Sequence, residues 1–291
     1  MSQVTEQRRR IEDIRAAKYI TGALRDISAI QLKDLREKFE TNKTFYVELR
    51  DLFQIMWRIS KAAGLTEHAR VKNDAIYVAF TTNRHFYGAL NHNVMRKFMS
   101  ATDTKDQCLI IGETGKQIWL AHARKRRELS FLTFKHDIPD NTEIVKFLEQ
   151  VADYQRVHVF YPGFVSVFDQ TVEMLDITFR PSDAQKEQQQ QNLPEDVPQY
   201  LLEPDIKEMS AFFSSQVRYV LFERMLLETQ LSQVAARLVK MDVADQNANE
   251  LINVEQRELR RAFSSFSSRR MLETLVGYLQ WHNQKPQHIV Q

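Results

Sequence analysis

Helix-breaking residues are nearly missing from both ends of this 291-residue chain. The seven prolines fall at 139, 162, 181, 194, 198, 204 and 286, and the seven glycines at 22, 64, 88, 112, 115, 163 and 277. Residues 1–63 therefore hold no proline and only Gly22, and residues 205–285 hold no proline and only Gly277. Proline and glycine end helices, so their scarcity permits one very long helix at each end. Cysteine is scarcer still. Cys108 alone excludes an internal disulfide and fits a reducing compartment, and its apolar setting QCLIIG reads as a buried, unreactive thiol. No apolar run approaches the ~20 residues that cross a bilayer. The opening MSQVTEQRRRIEDIR has neither the apolar core of a secretory signal nor the acid-poor character of a transit peptide. The expectation is a soluble, intracellular protein that another subunit must hold if it works at a membrane. An excess of charge is lacking too: 40 basic and 38 acidic side chains leave +2, so no global basic field calls for nucleic acid.

What is present at the two ends is helical periodicity. Apolar side chains fall at Ile20, Leu24 and Ile27 and again at Tyr46, Leu49, Phe53 and Met56, in steps of three and four. Near the other end a stripe runs through Leu227, Leu231, Val234, Leu238, Met241, Asp245, Ala248, Ile252, Glu255, Leu259, Ala262 and Phe266. Alternating steps of four and three define a coiled-coil seam, broken at Asp245 and Glu255. At 1.5 Å per residue, about 75 residues make a rod of roughly 110 Å, too long to bury inside a globule of this size. The economical solution pairs one helix from each end in antiparallel fashion.

The middle reads as α/β. Strand candidates are 75–82, 107–112, 128–134, 156–162 and the alternating run 164–179, with helical patterns at about 85–99 and 141–153, the second opened by Asp140 or Asn141 as N-cap. The expected fold class is thus α/β plus a long antiparallel two-helix coiled coil formed by the N- and C-terminal segments, around a small open sheet with crossover connections. The expected organisation is a first shaft helix over 1–63, a central α/β, Rossmann-like domain over 70–181, a polar, proline-punctuated linker over 182–204, and a second shaft helix over 205–285.

Chemistry-bearing motifs are few. Gly112-Glu-Thr-Gly-Lys116 looks like part of a phosphate-binding loop, but that loop needs four residues between its glycines and a hydroxyl residue after the lysine, where Gln117 stands. The plainer reading is a tight turn between strands. The eight histidines show no i,i+4 pair of a helical zinc site, and His85 and His92 have no acidic or cysteine partner at ligand spacing. Neither a nucleophile elbow nor a dinucleotide fingerprint occurs, so the expectation is no catalytic residue, no cofactor and no metal in this chain. Basic clusters at Arg8–Arg10, Arg124–Arg127, Arg260–Arg261 and Arg269–Arg270 read either as solvated faces or as contacts for an acidic partner.

Four segments, in order, resemble a known family. RIEDIRAAKYITGALRDISAIQLKDL (10–35) is similar to the N-terminal helix of gamma subunits of F-type rotary ATP synthases, with Arg10, Ile11, Ile20, Thr21, Ala23, Leu24 and Ala29 at matching positions. TTNRHFYGALNHN (81–93) resembles the family's S-D-R-G-L-C-G-G-F-N segment and keeps Arg84, Gly88 and Asn91. YLLEPD (200–205) resembles the family's entry to its last helix. LSQVAARLVKMDVADQNANELI (231–252) carries Ser232, Ala236, Arg237, Met241, Ala244, Asn247 and Ala248 at family positions without a gap. The departures are the family's two glycines, replaced by His85 and Ala89, its lysine, replaced by Gly22, and its arginine–glutamine latch, which aligns with Phe263 and Ser264. Arg260, Arg261 or Arg269 is the candidate replacement for that latch.

The resemblance implies a central rotor shaft without a catalytic site of its own. It would transmit torque between a membrane-embedded, ion-driven ring and a hexamer of alternating alpha and beta nucleotide-binding subunits, beside an epsilon subunit. It implies partner contacts at Arg10, Ile11, Ile20, Thr21, Leu24 and Arg84, and a foot on the membrane ring at Tyr200, Leu202 and Glu203. An apolar bearing is implied around 266–279, with Met271, Leu275, Val276 and Leu279, although the same residues could equally be ordinary seam packing. It also implies a peripheral place on the cytoplasmic face of a bacterial plasma membrane. Proton or sodium drive and synthesis or hydrolysis stay open. Two readings from other classes remain: a non-catalytic coiled-coil scaffold with an α/β docking domain, and an α/β enzyme for nucleotides or phosphosugars.

Overall fold

The structure, a computed structural model, describes residues 2–62, 72–83, 86–103, 106–122, 129–136, 138–178 and 206–283. Arg84, His85, the cluster 124–127, the linker 182–204 and Tyr200, Leu202 and Glu203 lie outside the described residues. The elements are α1 (Ser2–Ala62), β1 (Lys72–Phe80), α2 (Leu90–Ala101), β2 (Gln107–Ile111), α3 (Glu113–His122), β3 (Ser130–Leu132), α4 (Asn141–Val151), β4 (Tyr154–Phe164), β5 (Gln170–Asp176) and α5 (Ile206–Asn283). The two breaker-poor ends form single helices of 61 and 78 residues. They belong to two compact units: Met1–Asp26 with Met241–Gln291, and Ile27–Lys240.

In the larger unit a five-stranded sheet runs in the order β3-β2-β1-β4-β5. β1, β2, β3 and β4 pair in parallel, and β5 closes one edge antiparallel to β4. Alternation along β1 divides the core. Ile76, Val78 and Phe80 join Leu109, Ile111, Val157 and Val159 under Ile144 and Phe147 of α4 and Phe222, Met225 and Leu226 of α5. Ala79, Cys108, Ile110 and Phe160 form the opposite face, covered by Val94, Met95 and Phe98 of α2 and Ile118 of α3. Asp140 is the N-cap of α4: its amide donates to Glu143 Oε2 at 3.0 Å, and the Lys135 amide donates to Oε1 at 3.1 Å. These two amide bonds, Asp140 first, hold the Glu143 carboxyl below its ordinary range.

Three expectations need correcting here. The run 164–179 is not one strand: β4 extends to Phe164, the Ser166 amide bonds to the Asp169 carbonyl at 2.9 Å, and β5 begins only at Gln170. The glycine-bearing segment after β2 is not a turn between strands but the start of α3. The N-terminal stripe lies on a different face from the one its isoleucines suggest. Ile20 is 59% and Ile27 50% exposed, while Ser28 is fully buried.

Covered positions of α1 follow an alternation of three and four in each unit, with Gly22 and Leu24 covered beside it. In the smaller unit they are Val4, Gln7, Ile11, Ile14, Lys18, Thr21 and Arg25; in the larger, Ser28, Leu32, Leu35, Phe39, Asn42, Tyr46 and Leu49. Four of the smaller unit's seven seam positions, Gln7, Lys18, Thr21 and Arg25, are polar, which is why an apolar search misses them. Opposite them, Met241, Asp245, Ala248, Ile252, Glu255, Leu259, Ala262 and Phe266 of α5 are covered, in the expected register, with Asp242, Ala244 and Gln256 partly covered beside them. The two helices run antiparallel in each unit. In the smaller, Arg25 Nη1 lies 3.8 Å from both Asp242 and Asp245, so the seam break at Asp245 faces a cation. In the larger, Tyr46 and Leu49 pack on Val217 and Leu221, and Asn42 Nδ2 donates to Glu223 Oε2 at 3.1 Å.

Candidate functional site

A parallel sheet offers ligands the crevice at the carboxyl ends of its strands, where a helix N-terminus can cradle a phosphate. Here that crevice is closed by the chain itself. The loop after β1, Thr81-Thr82-Asn83, reaches the start of α3. Glu113 N donates to Asn83 Oδ1 at 3.1 Å, Thr114 N to the Thr82 carbonyl at 3.1 Å, and Gly115 N to Thr81 Oγ1 at 3.1 Å. Gly112 N donates to the Leu132 carbonyl at 3.0 Å, and Lys116 N closes onto the Gly112 carbonyl. Asn91 fixes the loop from behind, its Nδ2 donating to Thr82 Oγ1 at 2.7 Å. The amides that an anion would need are already used, and Lys116 Nζ sits 3.6 Å from Glu113. The glycines make room for Thr81, not for a ligand: a Cβ on Gly115 would stand 2.4 Å from Thr81 Oγ1.

Thr81 also donates to the Ile111 carbonyl at 2.6 Å, so one hydroxyl ties β1, β2 and α3 together. Thr81→Val keeps the shape and leaves the buried Gly115 amide without its partner, while the Ile111 carbonyl keeps only the bond from the Thr81 amide. The expected loss is about 1–3 kcal/mol, read as a lower denaturant midpoint. An unchanged midpoint would show that the hydroxyl is not the tie. Among the described residues no group of three or more histidine, cysteine, aspartate or glutamate side chains is placed to hold a metal, and no helix is long and apolar enough to cross a membrane.

The second candidate surface belongs to the smaller unit and is apolar. No residue of α5 from 267 to 281 is buried, although the segment carries Met271 (73% exposed), Leu272, Leu275, Val276, Tyr278, Leu279 and Trp281. On α1, Tyr19 is 82% exposed beside Ile20. A large apolar patch held in water marks a surface that another molecule covers. Tyr19, Leu272 and Trp281 were missed as contact candidates, although large apolar residues within otherwise polar helical turns are a readable signal.

The other sequence-derived contact residues are distributed as follows. Arg10 is exposed and pairs with Glu6 at 2.7 Å, and Arg261 is exposed and pairs with Glu258 at 2.9 Å. Arg260 and Arg269 are exposed as well. Thr21 donates to the Lys18 carbonyl, and Leu24 is half-buried. Ile11 is only 5% exposed, so its side chain serves the helix pairing and offers little to a partner.

The fold and these surfaces define a class: an α/β sheet domain whose crevice is closed by its own loop, and two long helices, paired antiparallel within each unit, the second with an exposed apolar end. Residues 3–262 match the sequence profile described as ATP synthase. The chain belongs to the ATP synthase family. It is similar to the ATP synthase gamma chain of Desulforamulus reducens, 26% identical over 299 residues covering 95% of this chain and 98% of that one. It is likewise similar to the gamma chain of Halothermothrix orenii, at 27% over 294 residues with the same coverage. Its fold is that of a chain in the Tetrahymena thermophila mitochondrial ATP synthase central stalk/c-ring structure, with TM-score 0.56 and 16% identity over 77% of this chain and 99% of that one. A chain of the Euglena gracilis mitochondrial ATP synthase OSCP/F1/c-ring structure gives TM-score 0.54 at 15% identity over 90% and 98%.

Proposed function

We propose that this chain is the central rotor shaft, or gamma, subunit of an F-type ATP synthase, transmitting torque between a membrane ion-driven ring and the alternating alpha–beta hexamer. The observation that carries the reading is the helix pair: two breaker-poor ends, running antiparallel on a 3-4 seam, with an exposed apolar end on α5. Torque transmission requires the shaft to contact the three conformations of the catalytic subunits unequally, because only differential contacts shift their equilibria. A helix end that is apolar at Met271, Leu275 and Leu279 and cationic at Arg260, Arg261 and Arg269 supplies such asymmetry. Within this reading, 1–63 and 205–285 are the shaft, 70–181 the central domain and 182–204 a linker. Arg10, Ile20, Thr21, Leu24 and Arg84 face the hexamer, and Tyr200, Leu202 and Glu203 meet the ring beside an epsilon subunit. The complex is peripheral to the membrane, and we place it on the cytoplasmic face of a bacterial plasma membrane.

The test is capture of the tagged chain from its own cells. Co-elution with alpha-type and beta-type nucleotide-binding chains is expected, and elution without them favours the scaffold reading. Replacing Arg260, Arg261 and Arg269 together with alanine is expected to lower ATP-driven ion pumping relative to hydrolysis by about tenfold, the equivalent of roughly 1.4 kcal/mol of coupling. An unchanged ratio removes these arginines from the latch role.

A further inference from the structure

Among the described residues, α5 enters the core under the sheet through Phe222, Met225 and Leu226, while Tyr46 and Leu49 of α1 pack on α5. Phe222 is fully buried, stacked on Phe147 of α4 at 4.9 Å and edge-on to Phe80 of β1 at 6.4 Å. One helical turn and a half later, Glu228 ends the sheet contact. Its Oε2 accepts from Tyr161 Oη at 3.1 Å and its Oε1 from the Phe164 amide at 3.3 Å, so one carboxylate binds two points of β4. Burial first, then the neighbouring Glu228, raises the Tyr161 pKa and keeps its phenol a donor. A second attachment lies at Arg237. Its Nη2 donates to Tyr87 Oη at 2.7 Å, its guanidinium lies 4.9 Å from that ring's centre, and Ala236 packs with Tyr87 and Leu90. Arg237 and Glu228 are roughly 14 Å apart along the helix, at 1.5 Å per residue.

α1 is placed differently. Asn42, Tyr46 and Leu49 meet α5. A solvent-open groove of about 430 Å³ lies between Gln31 and Lys38 of α1 and Tyr87 and His136 of the sheet domain's loops, with Gln233 and Arg237 of α5 also lining it. Packed side chains transmit force, and an open groove between two elements does not join them.

We propose that the sheet domain turns the shaft through α5 rather than α1, gripping it at Glu228 and at Arg237, and that α1 follows through its seam with α5. Two grips separated along one helix resist both twist and tilt, which a single grip does not. Glu228 and Arg237 are therefore positioning residues for torque. The inference rests on the rotor reading and assigns that reading a load path.

The experiment uses the assembled complex, with the hexamer immobilised and a probe on the membrane ring, and reads torsional stiffness from the probe's thermal angular spread without ATP. Glu228→Ala and Arg237→Ala are each expected to lower stiffness about twofold, and the pair to lower it further, because satisfied polar networks rigidify what they join. Glu228→Gln keeps both contacts, its Oε1 accepting from the Phe164 amide and its Nε2 donating to Tyr161 Oη, and is expected to restore near-normal stiffness. Asn42→Ala on α1 is expected to lower the melting temperature without softening the shaft. Equal stiffness in Glu228→Ala, Arg237→Ala and the unmodified complex overturns the inference, as does equal softening by Asn42→Ala. Should Glu228→Ala fail to assemble, Tyr161→Phe removes one of its two bonds at small cost: a softer shaft then supports the grip at Glu228, and unchanged stiffness overturns it. Absence of any hexamer or ring around the unmodified chain would instead overturn the rotor reading.

Discussion

Replacing Phe222 with alanine is expected to destabilise the larger unit by about 3–5 kcal/mol. The residue has no exposed surface, and two other rings of the core, Phe147 and Phe80, pack directly against it. Truncation removes the largest apolar group that α5 inserts under the sheet and leaves a void between helix and strands that rigid neighbours fill poorly. Beside a typical total stability of about 5–15 kcal/mol, such a loss is large. It should appear as a lower denaturant midpoint, with faster amide exchange in β1 and α4, which share the cluster. Exchange in the helix pairing of the smaller unit should change little, since Phe222 packs in the other one. A loss under about 1 kcal/mol would mean that this part of the core collapses around the void, and that α5 is not held there as tightly as the rings indicate.

Phe222 also illustrates what a sequence can disclose. The helix that carries it is legible from what is missing, since no proline and one glycine occur over 205–285. The face it buries is not. From Val217 to Ala236 the helix is covered on more than one side, by α1 at Val217 and Leu221 and by the sheet at Phe222, Met225 and Leu226. A helix buried on two sides loses the clean stripe that periodicity detects. Beyond Met241 only one side is covered, and there the seam from Met241 to Phe266 stands in the expected register. The first helix fails for the opposite reason. Its seam passes through Lys18, Thr21, Arg25 and Ser28, so the partner helix of the pair, not hydrophobicity, determines which face is inside. Asp242 and Asp245 accommodate Arg25 there.

The candidate sites divide along similar lines. The burial of Ile11 required the seam register that the isoleucines at 20 and 27 obscured. The glycines of Gly112-Glu-Thr-Gly-Lys116 were the harder case. Glycine in a sequence announces that a backbone is approached closely or takes an unusual angle, without naming what approaches. Their proximity to a lysine points to phosphate and their number to a turn. The structure shows neither, because the approaching group is Thr81 of the neighbouring strand.

That identification makes Gly112→Ala the second large prediction. Gly112 has φ +99°, where a side chain is strained, and its added Cβ would lie 2.4 Å from the Thr81 carbonyl oxygen and 2.7 Å from Thr81 Oγ1. The first of these is backbone of the central strand's exit, which cannot swing aside as a lysine end can. Strain at such a φ costs about 1–3 kcal/mol, and forcing a methyl into filled space adds about 1–3 more. The expected total of roughly 3–5 kcal/mol should lower the melting temperature by several degrees, and more than Thr81→Val does, since only the clash moves backbone. Combining Gly112→Ala with Thr81→Ala relieves the hydroxyl contact but not the carbonyl contact, so only a small part of the loss is expected back. Full recovery in that double variant would show that the hydroxyl, and not the path of the backbone at the end of β1, requires glycine at position 112.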